Sequence, residues 1–239
     1  MPADQWSELG ALEHLATQIR CKVGEAVYHC SEAASYWYRI VMGAARKSAV
    51  TADGCRHIVE FLLPGDFFGF GPGDTEYFSV ETISAGTVVA RYPRLDAEKL
   101  LDSDPQVGRH IREVLCASIN RAHTRMVILG RTSALEKVSA FLLEMADRSR
   151  TGPVNSVVLP MSRYDIADYL AIAVETVSRA LTELRGRRVI SLGGVRTVRI
   201  CDRRALEGIV QWPPESVWMS PTIGWRMGLP PSGGGTLRR

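Results

Sequence analysis

The stretch Ser162-Arg163-Tyr164-Asp165-Ile166-Ala167-Asp168-Tyr169-Leu170-Ala171-Ile172-Ala173-Val174-Glu175-Thr176-Val177-Ser178-Arg179-Ala180-Leu181-Thr182-Glu183-Leu184-Arg185-Gly186-Arg187-Arg188 holds two short helical patterns separated by a turn. Ser162 is a good N-cap, and Asp165 stands three residues on as its reciprocal partner, the arrangement that starts a helix. Ile166, Tyr169 and Leu170 give this helix an apolar face. The chain then turns through Ala171-Ile172-Ala173. A second helix begins with Glu175 and runs to Leu184, with Val177, Leu181 and Leu184 pointing inward. Two short helices joined by a three- or four-residue turn form a helix-turn-helix unit.

On the second helix, Glu175, Ser178 and Arg179 share another face at i, i+3 and i+4. In a DNA major groove an arginine can bridge guanine O6 and N7, and a carboxylate can accept the cytosine N4 amine. Each good bidentate contact gives about 1–3 kcal/mol of discrimination. Ser178 is small enough for close approach and offers a hydroxyl to a base edge. Glu175 and Arg179, one turn apart, can also hold each other's side chains in place. The alternative, a solvated i, i+4 ion pair, leaves the preceding helix and turn unexplained. Arg185, Arg187 and Arg188 follow, then Val189–Leu192, Gly193-Gly194 and Val195–Ile200 form a hairpin with a glycine turn. Such a wing would set its arginines near phosphates, which position a protein without reading sequence.

Upstream the pattern changes. Trp6 to Arg20 carries Leu9, Leu12, Leu15, Ala16 and Ile19 at helical spacing, which predicts a short amphipathic helix. From Lys22 to Arg91, short apolar and aromatic runs are broken by Gly, Pro and Asp. Tyr36–Met42 is rich in strand formers, Asp53-Gly54 is a hairpin signal, and Val80 to Tyr92 reads as two strands turning at Ala85-Gly86. Many short strands argue for an antiparallel barrel or jelly roll. Asp104-Pro105 then starts a long helix. Ile111, Leu115, Ile119, Ala122, Met126 and Leu129 recur along it in steps of four and three, the seam of a self-associating rod. Thr132 to Arg148 is a further amphipathic helix, and Thr151–Asn155 a turn-rich linker. The tail from Trp212 has no periodicity and is rich in Pro and Gly.

The predicted class is therefore α+β. An N-terminal antiparallel β-roll occupies residues 1–103, a dimerisation helix 104–130, a winged helix-turn-helix 131–211, and a disordered tail 212–239. Charge supports a polyanion partner for the third part. From Leu159 to Arg204 there are nine Arg, no Lys and five acids, a charge of +4, against +3 for all 239 residues; the remainder is near neutral at −1. Nothing approaches the ~18 apolar residues of a membrane span. Met1-Pro2-Ala3-Asp4-Gln5 lacks the basic start and apolar run of a secretory signal, so a cytoplasmic chain without membrane contact is expected. Five widely spaced cysteines, Cys21, Cys30, Cys55, Cys116 and Cys201, form no CxxC pair and indicate neither zinc nor a disulfide framework. An enzyme is not indicated. The roll holds only His29 and His57, without HxH spacing, and neither a Ser-His-Asp arrangement nor a P-loop is present.

Roll, long helix and winged helix-turn-helix, in that order over residues 20–205, resemble the CRP/FNR family of bacterial transcription regulators. Leu63-Pro64-Gly65-Asp66-Phe67-Phe68-Gly69 resembles the family's turn before its short roll helix. Phe141-Leu142-Leu143-Glu144-Met145 and Met161 to Leu170 resemble the FixK branch, and Glu175-Thr176-Val177-Ser178-Arg179 matches the E-x-x-S-R motif of FNR-type proteins. The resemblance implies a homodimer on double-stranded DNA at a TTGA-N6-TCAA-like palindrome, with Arg179 on the guanine and Glu175 on the opposite strand. It implies activation by contact with RNA polymerase. Thr176 would touch phosphate, and Ser162, Arg163 and Arg196 are further phosphate candidates. Ala171 departs from the family, whose turn usually has Gly; a left-handed Ala costs about 1 kcal/mol.

No cofactor is expected. The family's nucleotide sites carry an Arg-Ser or Arg-Thr pair, whereas Gly71 to Phe78 has no Arg, and Asp74 and Glu76 would repel a phosphate. The alternative is an FNR-type redox or oxygen sensor regulator that senses through a ligand or an iron–sulfur cluster, the latter needing four thiolates. Cys21, Cys30 and Cys116 are suggestively placed, but Gly24 occupies the middle position.

Overall fold

The computed structural model describes residues 10–52, 54–148, 156–194 and 196–210. The linker at 151–155 and the tail at 212–239 lie outside the described residues. The chain opens with α1 (Gly10–Glu13) and β1 (Thr17–Cys21). The helix expected over Trp6–Arg20 is thus corrected at its C-terminal end. Ile19 and Cys21 alternate toward the roll interior, and pairing with β8 (Thr87–Pro93) overrides the helical period.

Between these come β2 (Ala26–Tyr28), β3 (Tyr36–Met42), β4 (Ala45–Val50), β5 (Arg56–Leu62), β6 (Phe67–Phe68) and β7 (Ser79–Thr82). They form two antiparallel sheets, in the orders β1-β8-β3-β6 and β2-β7-β4-β5. The hairpin expected at Asp53-Gly54 joins β4 to β5, with Val50 opposite Arg56 and Gly54 at φ +82°. Tyr28, Tyr38, Ile40, Leu62, Phe68 and Val89 fill the space between the sheets. Tyr38 stacks on Phe68 at 5.3 Å and lies 5.2 Å from Tyr28. The short roll helix implied after Gly69 does not form. Gly71, Pro72 and Gly73 are poor helix formers, and the segment is tied down instead by an Ala33–Thr75 bridge.

Next come α2 (Arg94–Ser103) and α3 (Pro105–Leu129). The Asp104 carboxylate accepts from the N–H groups of Gln106 and Val107, and Pro105 sits in the first turn, where its missing N–H loses nothing. Val107 and Ile111 pack with Trp37, Phe67 and Tyr92 of the roll. Ile111 is 2% exposed and belongs to the molecule's own core, which corrects its place in the predicted seam. The middle of α3 turns its apolar side outward. Leu115, Ile119 and Met126 are 37%, 54% and 61% exposed. Ala122 is exposed and Leu129 half-buried. Among the described residues no helix is long and apolar enough to cross a membrane.

The C-terminal part holds α4 (Ala134–Arg148), β9 (Ser156–Val158), α5 (Arg163–Leu170), α6 (Val174–Gly186), β10 (Ile190–Leu192), β11 (Thr197–Ile200) and α7 (Arg203–Val210). The wing has a third strand, in the order β10-β11-β9. Ile166, Tyr169, Leu170, Val177, Leu181 and Leu184 share one core with Phe141 and Leu142 of α4 and with Ile58 and Phe61 of the roll. Phe61 lies 6.2 Å from Phe141 and 5.0 Å from Tyr169, and the last two are 5.8 Å apart. Burying each such ring contributes roughly 1.5–3 kcal/mol.

α5 ends at Ala171, in the left-handed region at φ 51°, ψ 53°. Ile172 N–H donates to the Ala167 carbonyl at 3.0 Å and Ala171 N–H to Asp168 at 3.2 Å. These are the two bonds of a Schellman motif, whose turning residue is usually Gly. The turn expected to strain Ala171 therefore does so. Ala171→Gly should raise the free energy of urea unfolding by about 0.5–1 kcal/mol, and Ala171→Val should lower it.

Candidate nucleic-acid interface

The face of α6 follows from its inward side. With Val177, Ala180, Leu181 and Leu184 buried, Glu175, Ser178, Arg179 and Thr182 are left exposed. The structure thus brings the three predicted base-reading residues together on one open surface. The Ser178 hydroxyl donates back to the Val174 carbonyl at 3.1 Å. The spacing of Glu175 and Arg179 allows them to hold each other, but no ion pair joins them; Glu183 of α6 pairs instead with Arg187, just past the helix end. The helix start is open as well. Ala173 stands at the N-cap and supplies no side-chain hydrogen bond, so first-turn amides are left for another acceptor. Thr176, half-buried, lies in that turn.

The phosphate candidates differ from one another. Ser162 forms the predicted capping box. Its hydroxyl donates to Asp165 Oδ2 at 2.7 Å and accepts from the Asp165 N–H at 3.1 Å, and its own N–H donates to Oδ2 at 3.0 Å. Both donors of Ser162 are therefore spent inside the helix start. Arg163 is half-buried, and its Nη1 is shielded from solvent without a hydrogen-bond partner. Burial lowers its pKa, and the unpartnered Nη1 faces the protein interior, so only the exposed part of the guanidinium is open to an anion. Arg196 is exposed on the wing, as are Arg185, Arg188 and Arg199. Arg187 is tied to Glu183, and Arg203 to Asp147 and Glu207.

Sequence reasoning missed the residues that hold α5. Arg46 of β4 donates from Nη1 to Asp165 Oδ1 at 2.6 Å, and from Nη2 to Glu81 of β7 at 2.8 Å. Arg56 of β5 lies 3.5 Å from Asp165 and 3.6 Å from Asp168. The Ile58 N–H donates to Asp168 Oδ1 at 3.1 Å. Arg125 of α3 donates to the carbonyls of Ile58 at 2.7 Å and Tyr169 at 3.3 Å, with its guanidinium 4.7 Å over the Tyr169 ring. The available signal was Asp165 and Asp168, two acids one turn apart in a module otherwise rich in Arg.

Inside the roll, Glu76 is buried beside Tyr28, with Oε1 unpartnered, and burial pushes its carboxyl pKa up. Tyr38 beside it is pushed up to about 12, mainly by burial. Among the described residues no group of three or more His, Cys, Asp or Glu is placed to hold a metal ion. Cys21 is buried, and Cys30, Cys55, Cys116 and Cys201 are exposed.

Residues 136–209 match the model of the Crp-like helix-turn-helix domain. The chain is 38% identical over 193 residues to the nitrogen fixation regulation protein FixK of Bradyrhizobium diazoefficiens, covering 79% of this chain and 81% of that one. It is 36% identical over 200 residues to the transcriptional activatory protein AadR of Rhodopseudomonas palustris, covering 80% and 83%. The solved structure of FixK2 from Bradyrhizobium japonicum matches with a TM-score of 0.75 at 36% identity, over 81% of this chain and 96% of that one.

The Asp165 contacts carry a pH signature. Burial pushes its carboxyl up, but the Ser162 hydrogen bonds and the Arg46 charge outweigh this and hold it below the usual value. A carboxyl depressed in the folded state stabilises fully above its unfolded pKa, and that stability is lost as pH falls through the folded pKa. Asp165→Asn should therefore lower stability by about 3–5 kcal/mol from pH 5 to 8. The deficit should shrink below about pH 4, as read by urea unfolding across pH.

Proposed function

Since the chain belongs to the CRP/FNR family of transcription regulators, in its FixK-like branch, and carries that family's DNA-binding helix-turn-helix, we propose that it binds a TTGA-N6-TCAA-like palindrome as a homodimer and activates transcription by contacting RNA polymerase. The observation that carries this reading is the open face of α6. Glu175 and Arg179 stand exposed and unpaired to one another at the start of a helix whose other side is fully packed. In the major groove Arg179 takes guanine O6 and N7, and Glu175 accepts the cytosine amine on the opposite strand. Ser178 releases Val174 to meet a base edge. A phosphate caps the open first turn beside Thr176, because amides and helix dipole both favour an anion there. Arg163 and Arg196 add phosphate contacts, while Ser162 contributes as a helix cap.

Residues 104–130 form the dimer rod, with the roll before them and the winged module, 131–211, after. The seam runs through Leu115, Ile119, Ala122, Met126 and Leu129, and its support is an outward apolar stripe of a kind that surface helices bury against a partner. Two half-sites four base pairs long and six apart have centres one helical turn from each other, which matches twofold docking. The protein acts in the cytoplasm as a regulator, not an enzyme, without cofactor.

Arg179→Ala should weaken binding to the TTGA-N6-TCAA duplex by at least about tenfold in a gel shift, with the circular dichroism spectrum unchanged. Equal wild-type binding to a scrambled duplex would overturn the half-site reading. Ile119→Glu should shift the protein to monomer in analytical ultracentrifugation and weaken binding to the palindrome far more than to a single half-site.

A further inference from the structure

The groups that grip α5 lie outside the helix-turn-helix and meet its eight residues at three separate points. Arg46 holds its first turn at Asp165, Ile58 and Arg56 hold its middle at Asp168, and Arg125 holds its last turn at the Tyr169 carbonyl. Arg46 is itself fixed. It lies opposite Glu81 in the sheet and bonds that carboxylate with its other Nη, so the planar guanidinium is held at both ends. The donor at Ile58 is equally rigid. The β4–β5 register shifts between Lys47 and Ser48, leaving Val59 without a partner in the ladder and turning the Ile58 N–H out to Asp168.

These contacts are directional, whereas the apolar contact beneath them is not. Loss of the polar grip would leave the module docked but free to tilt about the turn at residues 130–133 between α3 and α4. Tilt matters in one respect above others. The seam on α3 sets where the two copies meet, α5 is clamped to α3 and the roll, and α6 packs on α5. The path from dimer seam to recognition helix therefore runs through this clamp, and the two recognition helices must enter successive grooves about 34–36 Å apart.

We propose that Arg46, acting through Asp165, is a positioning residue that sets which half-site spacing the dimer accepts. This rests on the half-site reading above. It assigns to a roll residue, remote from the bases, a share of DNA specificity that α6 alone cannot supply.

The test uses the full chain and TTGA/TCAA duplexes with spacers of five, six, seven and eight base pairs, measured by fluorescence anisotropy at one salt concentration. Wild type should prefer its best spacer over the others by about tenfold or more. Arg46→Gln should keep binding to that spacer within about threefold while its preference falls below about threefold. Arg46→Lys should restore part of the preference. Arg179→Ala, by contrast, should weaken every spacer together. A wild-type spacer profile in Arg46→Gln, at any affinity, would overturn the proposal, as would a wild type indifferent to spacing. Should Arg46→Gln fail to fold, Asp168→Asn loosens the same clamp and is judged by the same two profiles. Wild-type binding no tighter to the palindrome than to a scrambled duplex would instead overturn the half-site reading, and the proposal with it.

Discussion

Three rings, Phe61 of the roll, Phe141 of α4 and Tyr169 of α5, pack together where the two halves of the chain meet, and the polar contacts around them depend on the dry surface they create. In water an ion pair such as Arg46 with Asp165 is worth about 0.2–1 kcal/mol. Asp165 is 5% exposed, and removing one partner of a buried pair costs about 3–5 kcal/mol because the other charge is stranded. Burial of Asp165 thus turns a weak surface attraction into a strict geometric requirement. Arg125 shows the same coupling in one side chain: it covers the Tyr169 ring and donates to two carbonyls on different elements.

α3 divides its work along its length. Its start packs on the roll through Val107 and Ile111, its middle offers Leu115, Ile119 and Met126 to the outside, and near its end Arg125 reaches α5. One helix therefore links the core of the roll, the apolar stripe and the helix-turn-helix.

Features written in local sequence were legible. Ser162 with Asp165, and Asp104 with Pro105, announce helix starts through bonds between near neighbours, and the structure contains both. The open face of α6 was legible for the same reason, since helical periodicity alone separates Glu175, Ser178 and Arg179 from the buried side. What needed the third dimension was lost. Periodicity could not show that Thr17–Cys21 pairs with β8, nor that Ile111 turns into the roll. β9, three residues beside a turn-rich linker, offers too short a pattern to detect. Arg46 and Asp165 are 119 positions apart, so no spacing rule could join them. The spacing of Glu175 and Arg179 permits a brace between them without enforcing it, and no ion pair joins them.

That unpaired carboxylate has a consequence of its own. In the proposed half-site reading, Glu175, exposed in the first turn of α6, sets an acid where the module would meet a polyanion. In that reading, most sequences would offer it only acceptors and phosphates, so it would lose its hydration and gain no donor, and wrong DNA would be penalised rather than merely unrewarded. Had Arg179 neutralised it within the helix, the module would cling to any duplex with similar ease. In that reading the arginines around α6 would supply grip, and Glu175, the acid of its first turn, would convert that grip into refusal of all but a few sites.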